Sequence, residues 1–259
     1  ILNVTPDSFS DGGLFLSRDQ ALAQAVRMVE EGADIIDVGG ESTRPGAQPV
    51  STQEELDRVI PVIEVLAQGI AVPISIDTSK PEVMRMAVAA GAGFINDVYA
   101  LRAEGAISAA ASLKVPVCLM HMQGKPRTMQ ADPRYADVVH DVSRFLRERI
   151  DACVAAGISM DQIVIDPGFG FGKTLAHNME LLRHMDSLRQ LGAPVLVGLS
   201  RKSMIEKVLG LPVGERLYAS LALALAAVQN GARIVRVHDV RATRDAIRMY
   251  EAVGAAGES

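Results

Sequence analysis

Eight times along the chain a short apolar run ends in polar residues, and several of these runs follow a helical pattern that closes on glycine. Gly32-Ala33-Asp34-Ile35-Ile36-Asp37-Val38, Gly91-Ala92-Gly93-Phe94-Ile95-Asn96-Asp97-Val98 and Gly231-Ala232-Arg233-Ile234-Val235-Arg236-Val237 are three near copies. Glycine suits the left-handed residue that terminates a helix. The last strand-like residues fall near positions 4, 38, 77, 96, 120, 166, 198 and 238. Most of the intervals hold a loop, a helix and a turn, which a crossover between parallel strands requires. Ser17-Arg18-Asp19-Gln20, Ser51-Thr52-Gln53-Glu54 and Ser79-Lys80-Pro81-Glu82 read as capping boxes that open helices, the last with proline at a permitted early position. Eight strand-then-helix units in 259 residues predict an α/β fold, a (β/α)8 TIM barrel in preference to an open doubly wound sheet. No linker or low-complexity tract divides the chain, so residues 1–259 are read as a single domain. The first unit is a stub, and the chain opens at Ile1 without a methionine, so its N-terminus reads as truncated.

Composition narrows the function classes. A chain of this size buries roughly three quarters of its unfolded surface and needs no disulfide or metal to hold it together. Cys118 and Cys153 are too few and too far apart for a disulfide framework or a Cys-x-x-Cys zinc site, and a reducing, cytoplasmic setting follows as the default. Glycine, proline or a charge interrupts every apolar run before it could span a membrane. A net charge of −5 with 4% aromatic residues argues against a nucleic-acid surface, which needs a basic face with stacking rings. The expected partner is a small molecule.

In a barrel of this kind the chemistry lies at the carboxyl ends of the strands. Those ends carry Asn3, Asp37, Asp77, Asn96, His121, Asp166 and the pair Arg236 and His238, with Ser200-Arg201-Lys202-Ser203 after the seventh strand. Arg236 and His238 stand two apart and are expected on one strand face. For Asp37, Asp97 and His121 a structural role is as well supported as a functional one. Gly168-Phe169-Gly170-Phe171-Gly172-Lys173-Thr174 ends like a P-loop but has Pro167 where the first glycine belongs, and it lacks the dinucleotide spacing. Gly198-Leu199-Ser200-Arg201-Lys202 has lysine in place of the second glycine of a nucleophile elbow. The five histidines show no zinc-binding spacing. Asp77, Asp166 and Asn96 therefore face Arg44, Lys202, Arg236 and His238. Carboxylates and an amide suit the N–H edge of a polar heterocycle, and the cations suit phosphate.

The motifs Asn3-Val4-Thr5-Pro6-Asp7-Ser8-Phe9-Ser10-Asp11-Gly12-Gly13, Gly39-Gly40-Glu41-Ser42-Thr43-Arg44-Pro45-Gly46, Ile76-Asp77-Thr78, Ile95-Asn96-Asp97, Asp166 to Lys173, Ser200 to Ser203 and Arg236-Val237-His238-Asp239-Val240 closely resemble dihydropteroate synthase, in that family's order and spacing. The resemblance implies condensation of p-aminobenzoate with 6-hydroxymethyl-7,8-dihydropterin diphosphate in folate synthesis. It implies that Asp77, Asn96, Asp166, Phe171, Lys202 and Arg236 bind the pterin, with Arg236 lying flat over the ring as only a planar guanidinium can. Asn3, Thr43, Arg44, Arg236 and His238 would hold the diphosphate, Asn3 partly through a magnesium ion. Phe9, Pro45, Lys202 and Ser203 would form the p-aminobenzoate pocket, and Asp7, Asp11, Arg44, Lys202, Arg236 and His238 would serve catalysis. The family also implies sulfonamide inhibition and a cytoplasmic homodimer. The rival readings are a pterin-binding methyltransferase, a Schiff-base aldolase using Lys202, whose neighbours Arg201 and Ser203 instead point to anion binding, and a pterin-binding regulatory module.

Overall fold

The computed structural model describes residues 1–4, 18–42, 47–124, 126 and 128–255. Its strands are β1 (Leu2–Asn3), β2 (Ile36–Gly39), β3 (Ile74–Asp77), β4 (Phe94–Asp97), β5 (Val117–Met120), β6 (Ile163–Asp166), β7 (Val195–Val197) and β8 (Ala232–Val235). They pair in chain order and in parallel to make one eight-stranded sheet. The helices α1 (Arg18–Glu30), α2 (Thr52–Gly69), α3 (Pro81–Ala89), α4 (Ala106–Leu113), α5 (Val138–Ala155) and α6 (Leu175–Arg183) each link one strand to the next. Two helices, α7 (Ser203–Leu209) and α8 (Leu217–Gln229), separate β7 from β8, and α9 (Val240–Ala255) follows. The sheet curls: the Ile1 amine donates to the Val237 carbonyl at 3.1 Å, bringing the two sheet edges within hydrogen-bond reach. Among the described residues β1 and β8 form no ladder, because β1 contributes only two residues.

Strand alternation sorts the side chains into two faces. Ile36, Val38, Ile74, Ile76, Ile95, Val117, Leu119, Ile163, Ile165, Val195 and Val197 belong to the main core under the helices. Phe94, Cys118, Val164 and Leu196, with Ile234 against them, form a separate apolar cluster on the other face. Two residues further along the same face come Asn96 on β4, Met120 on β5 and Asp166 on β6. This period-two step places an apolar floor beneath a polar layer at the carboxyl ends.

The helix signals held unevenly. Ser51 caps α2, its hydroxyl accepting from the Glu54 N–H at 3.1 Å. At α3 the expected Ser79 box does not form: Lys80 is the cap residue, Pro81 begins the helix, and the Ser79 hydroxyl donates to Asp97 instead. A fully buried carboxylate has more need of a donor than an exposed helix end. The Ser17 box lies outside the described residues. Two boxes were not foreseen, at Ser159 with Gln162 and at Thr174 with His177.

Candidate active site

Arg236 is the centre of the polar layer. Its N–H continues the sheet by donating to the Val197 carbonyl at 2.8 Å. Its guanidinium reaches Asp37 Oδ2 through Nε at 2.6 Å and Asp77 Oδ2 through Nη2 at 2.8 Å. Burial raises the Asp77 carboxyl to about 7 in spite of that cation, while the carboxylates hold the guanidinium firmly charged. Asp37 thus serves the site through Arg236, although its Oδ1 is buried without a hydrogen-bond partner. Asn96 lies in register beside Asp77, and its amide has no side-chain partner among the described residues.

Asp166 and Lys202 form the second half. Asp166 is buried, and its Oδ1 accepts from the Gly168 N–H at 2.7 Å. Burial raises its carboxyl above the usual range, opposed by Lys202. Lys202 is the cap residue of α7; its ammonium donates to the Phe169 carbonyl and lies 4.4 Å from the centre of the Phe171 ring. Burial lowers Lys202 to about 8 against the pull of Asp166, and Arg236 lowers it further. Three carboxylates, an amide and two cations therefore share the carboxyl ends of five strands and the loops after β6 and β7. A cavity of about 500 Å³ reaches Asp37, Asn96 and Arg236 from among the strand starts at Ile35, Ser75 and Phe94, under the ring rather than over it.

Other expectations need correction. Strand β8 ends at Val235, so Arg236 and His238 do not share a strand face. Instead His238 Nδ1 lies 3.0 Å from the Ser200 hydroxyl, and burial lowers the imidazole to about 4, leaving it neutral near pH 7. Arg201 is committed to Asp239, with its Nε 3.0 Å from Oδ2, so it is not the free anion-binding neighbour of Lys202 that was expected. Ser203 is exposed at the first turn of α7, and Asn3 pairs in register with Gly39. Asp97 and His121 take structural roles. Asp97 accepts from the Ser79 hydroxyl and the N–H groups of Tyr99 and Leu101, and His121 packs edge-on to Phe145 at 4.9 Å and meets Lys173. Asp7, Phe9, Asp11, Thr43, Arg44 and Pro45 lie outside the described residues.

Sequence reasoning gave no role to the residues that support this layer. Lys80 joins Glu41 to the buried Glu55, and Arg58 donates to the Gly40 carbonyl at 2.8 Å, anchoring the backbone just before Thr43. A Cβ on Gly40 would stand 2.6 Å from Val59 Cγ1, so only glycine lets β2 leave the sheet this close to α2. Lys173, buried among loop carbonyls, also went unassigned; a charge inside an apolar, glycine-alternating stretch was the available signal. No group of three histidine, cysteine, aspartate or glutamate side chains among the described residues is placed to hold a metal ion.

A family model described as pterin binding enzyme matches residues 1–238, the class that a strand-end ring of carboxylates, amide and cations defines. The chain is 54% identical over 252 residues to the dihydropteroate synthase of Haemophilus influenzae, covering 97% of this chain and 92% of that protein. A Yersinia pestis dihydropteroate synthase solved with a sulfonamide drug complex superposes with a TM-score of 0.94 at 53% identity, covering 98% of this chain and 92% of that one. A Xanthomonas albilineans dihydropteroate synthase solved with 4-aminobenzoic acid gives 0.93 at 56% identity, covering 98% and 91%. The chain belongs to the pterin-binding enzyme family, among its dihydropteroate synthases.

Proposed function

We propose that this chain is a transferase that joins p-aminobenzoate to 6-hydroxymethyl-7,8-dihydropterin diphosphate, releasing dihydropteroate and diphosphate. The observation that carries this is the ring of buried Asn96 and Asp166 with the largely buried Asp77, opposite Lys202 and Arg236. The pterin edge donates N–H groups to the carboxylates and pairs with the Asn96 amide, while Lys202 donates to a ring acceptor. Each such bond involves a charged or well-oriented partner in a shielded site, where it is stronger than in water. Arg236, held by Asp37 and Asp77, presents a planar cation to the pterin face and to the departing diphosphate. Asn3, Thr43, Arg44 and His238 complete the diphosphate site, His238 as a neutral donor. Phe9, Pro45, Lys202 and Ser203 border p-aminobenzoate, and Asp7 and Asp11 serve the reaction.

The C–O bond to diphosphate breaks ahead of amine attack and the attacking nitrogen then sheds its proton to the released diphosphate, so the residues stabilise separating charge and exclude water rather than remove a proton. Asn3 would hold a magnesium ion together with the diphosphate, a role that suits an ion which keeps several waters and needs only one or two protein ligands. The ion would neutralise charge on the leaving group.

The reading extends to a closed (β/α)8 barrel forming a single domain, with the Ile1–Val237 hydrogen bond marking the seam. It extends to sulfonamides as inhibitors competing with p-aminobenzoate, and to a cytoplasmic homodimer. Exposed Val208, Leu209, Val213 and Tyr218 near α7 and α8 support the dimer, and no helix among the described residues is long and apolar enough to cross a membrane. The test is to supply both substrates with magnesium and follow dihydropteroate and diphosphate together. Diphosphate release without dihydropteroate would contradict the reading.

A further inference from the structure

Lys173 is 1% exposed, and its side-chain nitrogen donates to the Gly168 carbonyl at 2.9 Å and the Phe171 carbonyl at 3.1 Å and lies 2.9 Å from His121 Nδ1. Burial pushes the Lys173 amine well below its usual range, opposed by Asp166 and reinforced by Lys202, and these three partners occupy all the hydrogen-bonding positions of its nitrogen, leaving none for a phosphate, unlike the lysine of a P-loop. Burial lowers His121 to about 2, so its ring is neutral and Nδ1 is free to accept. The other side of the same turn faces the site. The Phe169 carbonyl receives Lys202, the Phe171 ring lies beneath that ammonium, and the Gly168 N–H donates to Asp166. Gly168 is therefore held on both sides, through its carbonyl by Lys173 and the Phe171 N–H and through its N–H by Asp166. Asn178 and Tyr135 secure Gly170 and Gly172; the Gly168 carbonyl also accepts from the Phe171 N–H at 3.1 Å, so Lys173 is the side chain that ties this carbonyl inward, and the Phe171 carbonyl is left to Lys173.

We propose that Lys173 is a positioning residue for the pterin site: its buried side-chain nitrogen draws the Gly168 and Phe171 carbonyls inward and so fixes both Asp166 and the seat of Lys202. The inference rests on the reading that Asp166 and Lys202 hold the pterin. Without that nitrogen the turn keeps its outer clamps but loses the contacts that orient its site-facing groups. Pterin affinity then falls more than p-aminobenzoate affinity, because Asp166 and Lys202 both serve the pterin whereas only Lys202 of the two borders p-aminobenzoate.

The test compares Lys173→Met, Lys173→Gln, Asp166→Asn and Lys202→Met by calorimetry with dihydropterin diphosphate, by KM for p-aminobenzoate and by thermal midpoint. Lys173→Met should raise the pterin Kd at least about tenfold, or about 1.4 kcal/mol, with the p-aminobenzoate KM moving less than about threefold. Lys173→Gln, which keeps two donors, should fall between. A pterin Kd within about threefold of the unsubstituted protein in a folded Lys173 variant, with only the thermal midpoint lowered, overturns the proposal and makes Lys173 a fold anchor. If Lys173→Met does not fold, the glutamine variant decides by the same threshold. Unchanged Kd in both Asp166→Asn and Lys202→Met would instead overturn the pterin-site assignment, and the inference with it.

Discussion

Replacing Asp166 with asparagine keeps the shape of the side chain and removes its charge. In the structure one carboxylate oxygen already accepts from the Gly168 N–H at 2.7 Å. An asparagine that keeps this bond must turn its amide N–H groups toward the pterin, so a ligand donor meets a protein donor. A hydrogen bond to a charged group contributes roughly 1.5–3 kcal/mol. Losing two, with a ligand donor left unpaired, should weaken pterin binding by on the order of 100-fold or more. Stability should move little, because the variant removes a buried carboxylate whose ionisation burial already disfavours, while it deprives Lys202 of an opposing charge. The assay is calorimetry with dihydropterin diphosphate, alongside a thermal melt. An affinity within about fivefold of the unsubstituted protein, a shift of only about 1 kcal/mol, would refute the assignment of Asp166 as the pterin anchor.

Asp77 is ionised above about 7 and Lys202 is protonated below about 8 in the free protein. Pterin affinity should therefore peak between those values, falling by up to about tenfold per pH unit on either side as Asp77 gains a proton or Lys202 loses one. An affinity that climbs steadily from about pH 6 to pH 9 would refute the pairing. Arg236→Leu leaves Asp37 and Asp77 facing each other without their cation. The cost should be about 3 kcal/mol, the low end for a broken buried pair because a quarter of Arg236 is exposed. A thermal midpoint lowered by roughly 6–12 °C is expected, and a change under about 2 °C would show that the carboxylates need no partner. Asp97→Ala strips the acceptor from Ser79, Tyr99 and Leu101. It should cost about 3 kcal/mol of stability while leaving pterin Kd within about threefold in the folded protein; a larger affinity loss would give Asp97 a part in binding.

The strand ends at positions 38, 77, 96, 120 and 166 could be read from sequence to within a residue because each apolar run gives way there to polar or glycine residues. That local rule also exposed Asp77, Asn96, Asp166 and Arg236 as one group. It failed where partners come from far along the chain. Ser79 leaves its helix end for Asp97, and Arg201 is taken by Asp239. His238 turns to Ser200 beyond the end of β8. Asp37 was ambiguous for the same reason, since its role depends on a guanidinium 199 residues away. Lys173 was hidden differently: a charge in an apolar, glycine-alternating stretch marks it as unusual but does not state that it points inward against the loop after β5.

The most direct measurement is a crystal structure with bound 6-hydroxymethyl-7,8-dihydropterin diphosphate. The account predicts the pterin edge against Asp77, Asn96 and Asp166, Lys202 at a ring acceptor and Arg236 across the ring face. A pterin bound away from Asp166 and Lys202, with Arg236 still engaged only by Asp37 and Asp77, would contradict it.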